Sequence, residues 1–231
     1  MKALILAGGL GTRLRPLTFS VPKPMLAVGD KPIVEILIEH LRSQNVKDII
    51  VAAGYKSDLI KAYFGNGKKH GVRMRYVIET EPLGTAGPIR LAAKQLGGSR
   101  FILANGDILT GINLNKMLKA HLRAQAVMTV ALKKWSWQSP FGQVQLCADK
   151  SVASIQEKPS RNFDISAGIY LCEAEVVSHV RARTHLDMPA LINALIQRRK
   201  TVYGYHFKDT WQAIDTLQNL EEAASRRLAR S

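Results

Sequence analysis

The chain of 231 residues has only two cysteines, Cys147 and Cys172, with no CxxC spacing and no histidine cluster beside either. That scarcity leaves a zinc site without its ligands. Both cysteines fall in apolar, strand-like runs, which predicts two buried free thiols. Long hydrophobic runs are missing too. No stretch approaches the ~20 apolar residues that a membrane span needs, so no membrane partner is expected. The start, Met1–Arg13, carries an apolar run straight into glycines and lacks the small-residue cleavage site of a signal peptide. A cytoplasmic location is therefore the default. Acidic residues are few: 18 Asp and Glu against 33 Lys and Arg leave a formal net charge of +15. Such a surplus suits anionic ligands, namely nucleotides, pyrophosphate and phosphosugars. Nucleic acid would also suit it. Aromatics, however, make up only 6% of the chain and do not interleave with the late basic clusters, as a single-strand groove would require. Those clusters, Arg181–Arg183, Gln197–Lys200 and Arg226–Arg230, read as solvated helix faces or a basic tail, and no specific nucleic-acid partner is expected.

What is present is an alternation of short apolar runs and amphipathic segments. Lys2–Ala7, Lys47–Ala53, Val72–Ile78, Arg100–Ala104 and Ala126–Leu132 read as strands. Between them Lys31–Gln44, Ser57–Phe64, Thr85–Gln95 and Leu114–Ala124 carry apolar residues at helical spacing. This pattern predicts an α/β fold, a Rossmann-like three-layer α/β/α sandwich with a mixed, mostly parallel sheet. The second half reads differently. Gly142–Cys147, Val152–Gln156 and Ser166–Leu171 are strand-like with little helix between them. Helices near Ala174–Val180 and Met188–Arg199, a strand at Thr201–Phe207 and a helix near Leu217–Leu228 follow. With no repeat and no low-complexity linker, the expectation is one domain over residues 1–231, its nucleotide-binding part at about 1–125 and its sugar-binding part at about 126–231.

The strongest local signal is Leu6-Ala7-Gly8-Gly9-Leu10-Gly11-Thr12-Arg13. A glycine turn after a first strand bares backbone N–H groups that can cradle phosphate. Two better-known glycine loops do not fit. The third glycine of GxGxxG is Leu14, and the Gly-Lys-Ser/Thr of a P-loop is Gly11-Thr12-Arg13. Arg13 can grip phosphate with two donors. Lys23 lies between Pro22 and Pro24, which hold its backbone extended and lower the entropy lost on binding. Taken singly, each of these cations would more often be an ordinary surface charge.

The run Leu6–Arg13, then Arg15-Pro16-Leu17-Thr18 and Val21-Pro22-Lys23-Pro24-Met25-Leu26, resembles the signature of the sugar-1-phosphate nucleotidyltransferases that make NDP-sugars. Asn105-Gly106-Asp107, Glu157-Lys158-Pro159 and Ala167-Gly168-Ile169-Tyr170 follow in that family's order. Glu81-Pro82-Leu83-Gly84-Thr85-Ala86-Gly87-Pro88 is similar to the nucleobase loop of mannose-1-phosphate guanylyltransferases. The resemblance implies that a sugar phosphate oxygen attacks the α-phosphorus of an NTP in line and pyrophosphate leaves, with Mg²⁺ as cofactor. The protein then mainly positions the reactants and stabilises charge.

By the same resemblance, Arg13 serves the triphosphate and the departing pyrophosphate, and Lys23 the α-phosphate. Leu6, Ala7, Gly8, Gly9, Gly11, Thr12, Glu79, Pro82, Gly84 and Thr85 line the nucleotide. Asn105, Gly142, Glu157, Lys158, Ser166 and Gly168 line the sugar phosphate, with Ser166 standing where the family usually has asparagine or threonine. Asp107 is the matching magnesium ligand; its plainer alternative is a turn aspartate capping a helix. The second carboxylate departs from the family pattern. Trp211-Gln212-Ala213-Ile214-Asp215-Thr216 puts Ala213 where the family aspartate stands, and the metal role passes to Asp215, as in cytidylyltransferase-like members with an Asp-Thr pair. Aspartate is also a preferred helix N-cap, which is the other reading of Asp215. Trp135 and Trp137 could stack on a sugar, but packed wall is the default expectation.

A carboxylate only accepts hydrogen bonds. Guanine offers two adjacent donors, N1–H and N2–H, so Glu79 tilts the expectation to GTP. The Asp215-Thr216 pair tilts toward CTP, and a cytidylyl- or uridylyltransferase stays open. So does a catalytically silent regulatory module of the same fold, although Arg13, Lys23 and Asp107 are all retained. The sugar and the oligomeric state are not readable, and a homo-oligomer remains an option by analogy.

Overall fold

The computed structural model describes residues 1–228. Its elements run β1 (Lys2–Ala7), β2 (Ala27–Val28), β3 (Lys31–Pro32), α1 (Ile33–Ser43), β4 (Asp48–Ala53), α2 (Ser57–Phe64), β5 (Arg73–Ile78), α3 (Gly87–Leu91), α4 (Ala93–Leu96), β6 (Phe101–Asn105), β7 (Ile108–Thr110), α5 (Leu114–Arg123), β8 (Met128–Gln138), β9 (Gln143–Leu146), β10 (Val152–Gln156), β11 (Ser160–Cys172), α6 (Met188–Gln197), β12 (Val202–His206), β13 (Trp211–Ala213) and α7 (Leu217–Leu228).

Seven strands form the central sheet in the order β12-β8-β11-β6-β1-β4-β5. β1 pairs in parallel with β4 and β6, β4 with β5, and β12 with β8. β11 runs antiparallel to both of its neighbours, β6 and β8. The central strands are short and apolar on both sides because both faces are covered. On one face Ala3, Ile5, Val51, Ile102 and Ala104 pack with Leu37 and Ile38 of α1, Ile60 of α2 and Met117 of α5. On the other, Leu4, Ile50, Phe101 and Leu103 pack with Ile89, Leu96, Leu191 and Leu195 of α3, α4 and α6. These two buried layers are the expected α/β/α sandwich. Each such aliphatic side chain contributes about 1.5–3 kcal/mol by leaving water.

Several sequence expectations are corrected. Thr85–Gln95 is not one helix: Ala92, at φ −84° and ψ 2°, closes α3 and α4 starts afresh. Ala174–His179 is a 3₁₀ segment. Arg181–Arg183 runs from irregular chain into a turn, not along a helix face. Of the Arg226–Arg230 cluster, Arg226 and Arg227 lie in α7, while Ala229 and Arg230 are outside the described residues. Cys172 is buried, but Cys147 is exposed. It sits at the turn joining β9 to β10, where its N–H donates to Ser151 O at 2.8 Å and no core lies beneath it.

The sheet also runs further than the sequence pattern predicts. β8 and β11 continue as a paired arm, Lys133–Gln138 against Ser160–Ile165, past the edge of the covered sheet. β9 and β10 form a separate two-stranded ladder beyond it. Trp135 and Trp137 stand on this arm 52% and 51% exposed, so they are not packed wall.

Candidate active site

The carboxyl ends of the parallel strands gather the loops that matter, as open α/β sheets generally do. β1 ends into Gly8, β4 into Gly54, β5 into Glu79, and β6 into Asn105 and Asp107. Gly106 N–H donates to Leu6 O at 2.8 Å, which holds the β6 loop against the end of β1.

The glycine loop adopts the tight form expected of it. Gly11 has φ +61°, and a Cβ there would meet Thr18 Cγ2 at 2.8 Å and Lys23 Cβ at 2.9 Å. Thr18 Oγ1–H closes the turn onto Gly11 O at 2.9 Å. Lys23 is thereby packed against the back of the loop, with its backbone entering from extended Pro22.

Its ammonium sits between two carboxylates. Lys23 Nζ donates to Asp107 Oδ2 and, at 2.6 Å, to Asp215 Oδ1. Arg13 Nη2 reaches the same Asp215 oxygen at 3.1 Å. The Lys23 side chain is 12% exposed and that of Arg13 70%, so the lysine charge is partly desolvated and the arginine is free to turn toward solvent. Two backbone features bring the aspartates together. β7 pairs antiparallel with β13, and Ile214 N–H donates to Asp107 O at 2.9 Å. The N-cap reading of Asp215 fails, because Thr216 does that work. Thr216 Oγ1 accepts from Asn219 N–H at 3.2 Å, and Asn219 Oδ1 accepts from Thr216 N–H at 3.2 Å. This is a reciprocal capping box with asparagine in the usual Glu/Gln place.

The Asp107 and Asp215 pair suits a hard divalent cation. Mg²⁺ takes one or two carboxylates and completes its shell with phosphate oxygens and water. Among the described residues no group of three or more His, Cys, Asp or Glu forms an all-protein cage.

Glu79 lies against Gly8: a Cβ on that glycine would fall 2.3 Å from Glu79 Oε1. Burial raises the Glu79 carboxyl above the ordinary carboxylate range, opposed by a hydrogen bond from the Leu83 backbone. The loop that follows is fastened to residues before α6. Gly84, at φ +72°, packs its bare α-carbon over Leu186 O. Leu186 N–H donates to Leu83 O at 2.9 Å, His185 Nδ1–H to Pro82 O at 3.1 Å, and Met188 N–H to Thr85 Oγ1 at 2.7 Å. The Thr85 hydroxyl is therefore engaged at the start of α6. A cleft of about 590 Å³ opens here, lined by Glu79, Glu81, Leu83, Arg90 and Arg183 among others.

On the other flank Gly168, at φ +70°, faces the Asn105 amide; a Cβ there would fall 2.6 Å from Nδ2. Ser166 Oγ lies 2.9 Å from the Tyr170 hydroxyl and accepts from Gly168 N–H at 3.3 Å. Gly142 and Glu157 meet across the β9–β10 ladder, where a Gly142 Cβ would be 3.1 Å from Glu157 Oε2. Lys158 is exposed with φ +43°, a left-handed conformation that costs a non-glycine residue about 1–2 kcal/mol. The predicted residues thus fall into three groups: the cation–carboxylate cluster, the Gly8–Glu79 contact with its loop, and the residues around Asn105 and on the arm.

The family model described as Nucleotidyl transferase matches residues 2–230. The chain belongs to that family. This nucleotidyltransferase is 36% identical over 177 residues to the D-glycero-alpha-D-manno-heptose 1-phosphate guanylyltransferase of Aneurinibacillus thermoaerophilus, with 76% of each chain covered. It is 32% identical over 221 residues to the mannose-1-phosphate guanylyltransferase of Mycobacterium tuberculosis, covering 93% of this chain and 61% of that one. Among solved structures, HddC from Yersinia pseudotuberculosis complexed with GMP-PN superimposes with a TM-score of 0.76 at 25% identity, covering 98% of this chain and 99% of that one.

Sequence reasoning about the nucleotidyltransferase missed three supporting groups. Asn219 caps α7 and positions Asp215; the Thr216-x-x-Asn219 spacing was the available signal. His185 and Asp187 pin the Pro82–Thr85 loop from a hundred residues away, and nothing local announces that. Trp211 donates its indole N–H to Ala167 O at 2.8 Å, tying β13 to the turn before Gly168. No helix of the described residues is long and apolar enough to cross a membrane.

Proposed function

We propose that this nucleotidyltransferase condenses GTP with a sugar 1-phosphate of manno configuration, a hexose or a heptose, to give a GDP-sugar and pyrophosphate. The observation that carries the reading is the meeting of Arg13, Lys23, Asp107 and Asp215 above the carboxyl ends of β1 and β6. A triphosphate laid on the Gly8–Gly11 amides would meet two cations on one side. Lys23 neutralises charge as it builds on the α-phosphate, and Arg13 accompanies the leaving pyrophosphate. Asp107 and Asp215 would hold Mg²⁺, which when bound supplies charge neutralisation to the phosphates. Leu6, Ala7, Gly9 and Thr12 form the floor beside the nucleoside. Glu79, set against Gly8, accepts from guanine N1–H and N2–H, and the Pro82–Thr85 loop closes over the base. Asn105, Gly168 and Ser166 face the sugar phosphate. Gly142, Glu157 and Lys158 bring hydroxyl acceptors and a cation from the end of the β9–β10 ladder. The nucleotide part, about 1–125, and the sugar part, about 126–231, share one sheet and act as one domain.

GTP supports the reading twice, through the acceptor-only Glu79 and through relatives named guanylyltransferases. The manno configuration rests on the names shared by those relatives. The test is pyrophosphate release by the full chain with Mg²⁺, each NTP in turn, and mannose 1-phosphate or the manno-heptose 1-phosphate. Turnover with GTP and either sugar supports the proposal. Turnover with CTP alone overturns the base assignment, and a folded protein that binds nucleotide without turnover overturns the catalytic roles.

A further inference from the structure

Lys23 places its Nζ between Asp107 and Asp215, the two carboxylates that would hold a divalent cation. Its Nζ takes one oxygen from each carboxylate, Asp107 Oδ2 and Asp215 Oδ1. Arg13 adds a second positive group on that same Asp215 oxygen. The resting cluster is thus two cations against two anions, with no net charge left to attract a metal. The base of the lysine is held, because its Cβ lies behind Gly11 and its backbone is framed by Pro22 and Pro24, so only the ammonium end is free to turn. A bare dication would have to displace a well-packed, largely covered ammonium and then sit beside both it and Arg13. A triphosphate alters that balance. It offers Lys23 and Arg13 new anionic partners on the glycine loop, frees the two carboxylates, and adds the charge that a dication neutralises.

From this arrangement we infer that Lys23 is an internal stand-in for the divalent cation, and that it bars the metal from the resting enzyme until a nucleotide draws the ammonium away. The inference rests on the reading of Asp107 and Asp215 as the metal pair. It makes the order of assembly a property of the lysine: metal and nucleotide enter together, and metal alone does not.

The test uses Mn²⁺ as the probe, with the full chain and no sugar phosphate, and reads binding by water-proton relaxation. Wild type without nucleotide should hold Mn²⁺ at least tenfold more weakly than Lys23→Met or Lys23→Gln, each checked for native circular dichroism. Lys31→Met, which removes a lysine paired with Glu39 away from the cluster, should match wild type. Adding GTP to wild type should restore strong Mn²⁺ relaxation. Equal Mn²⁺ affinity in wild type and in the Lys23 variants overturns the stand-in role. So does wild-type binding that is already strong without GTP, a result that stands even if neither variant folds. If Mn²⁺ fails to bind any form, with or without GTP, the metal-pair reading itself falls. Binding to wild type with GTP, but no gain in the Lys23 variants, removes only the present inference.

Discussion

Thr216 and Asn219 cap each other across the first turn of α7, and Asp215, one residue earlier, is left to face Lys23. The residue that would ordinarily be suspected of capping is thereby left to pair with Lys23 and Arg13.

Removing the Thr216 hydroxyl should therefore cost stability and spare the chemistry. Thr216→Ala is expected to lose about 1 kcal/mol, the usual worth of an N-cap, read as a lower urea midpoint at unchanged slope. Asp215→Asn should do the reverse, leaving the midpoint nearly unmoved.

The two aspartates should behave as a unit. Asp107→Asn and Asp215→Asn are each expected to lower kcat for pyrophosphate release on the order of 10²-fold or more, with the double variant little worse than either single one. Independent, multiplying losses would contradict a shared cation. Omitting Mg²⁺ from wild type should reproduce the double variant.

Glu79 makes stability depend on pH in a defined direction. Its folded carboxyl is raised above the ordinary range by burial. In the window between the two values the native state binds more protons than the unfolded one, so stability falls as pH rises. Glu79→Gln removes that loss. The variant and wild type should unfold alike below the ordinary carboxylate range, and the variant should become progressively more stable as pH climbs through the raised value. Thermal melts across that span, on protein without nucleotide, measure it. If Glu79 reads guanine, the same variant should also lose preference for GTP over ITP, which lacks the N2 amine.

Gly8→Ala tests the contact from the other side. The new methyl would meet Glu79 Oε1 at 2.3 Å, and the carboxylate, the far end of a flexible chain, would swing away. Stability should change by less than about 1 kcal/mol, while KM for GTP rises about tenfold or more. Glu79→Ala in the same chain should recover little of it, because the base loses its acceptor either way.

The alternation of β1, α1, β4, α2 and β5 was legible because central parallel strands are continuous apolar runs and covering helices carry one apolar stripe. Local chemistry also marked the glycine loop, Lys23 between its prolines, and Asp107 after β6. What stayed hidden depends on partners remote in the chain. β7 is three residues long and exists because β13 pairs with it. The arm of β8 and β11, beyond the strands read at Ala126–Leu132 and Ser166–Leu171, went unread because its mostly exposed residues leave no apolar period to follow. The same absence of a core misled the reading of Cys147, Trp135 and Trp137. Thr85 looked like part of a base loop, and its hydroxyl is held by the first turn of α6.

Lys23 and Asp215 stand 192 positions apart. During synthesis the glycine loop, Arg13, Lys23 and Asp107 are complete long before the segment that carries Asp215 has left the ribosome. Until that segment docks β13 on β7, Lys23 can have Asp107 but not Asp215 as a partner. The transfer proposed for this cluster therefore waits on the docking of β13 against β7, which brings Asp215 to Lys23.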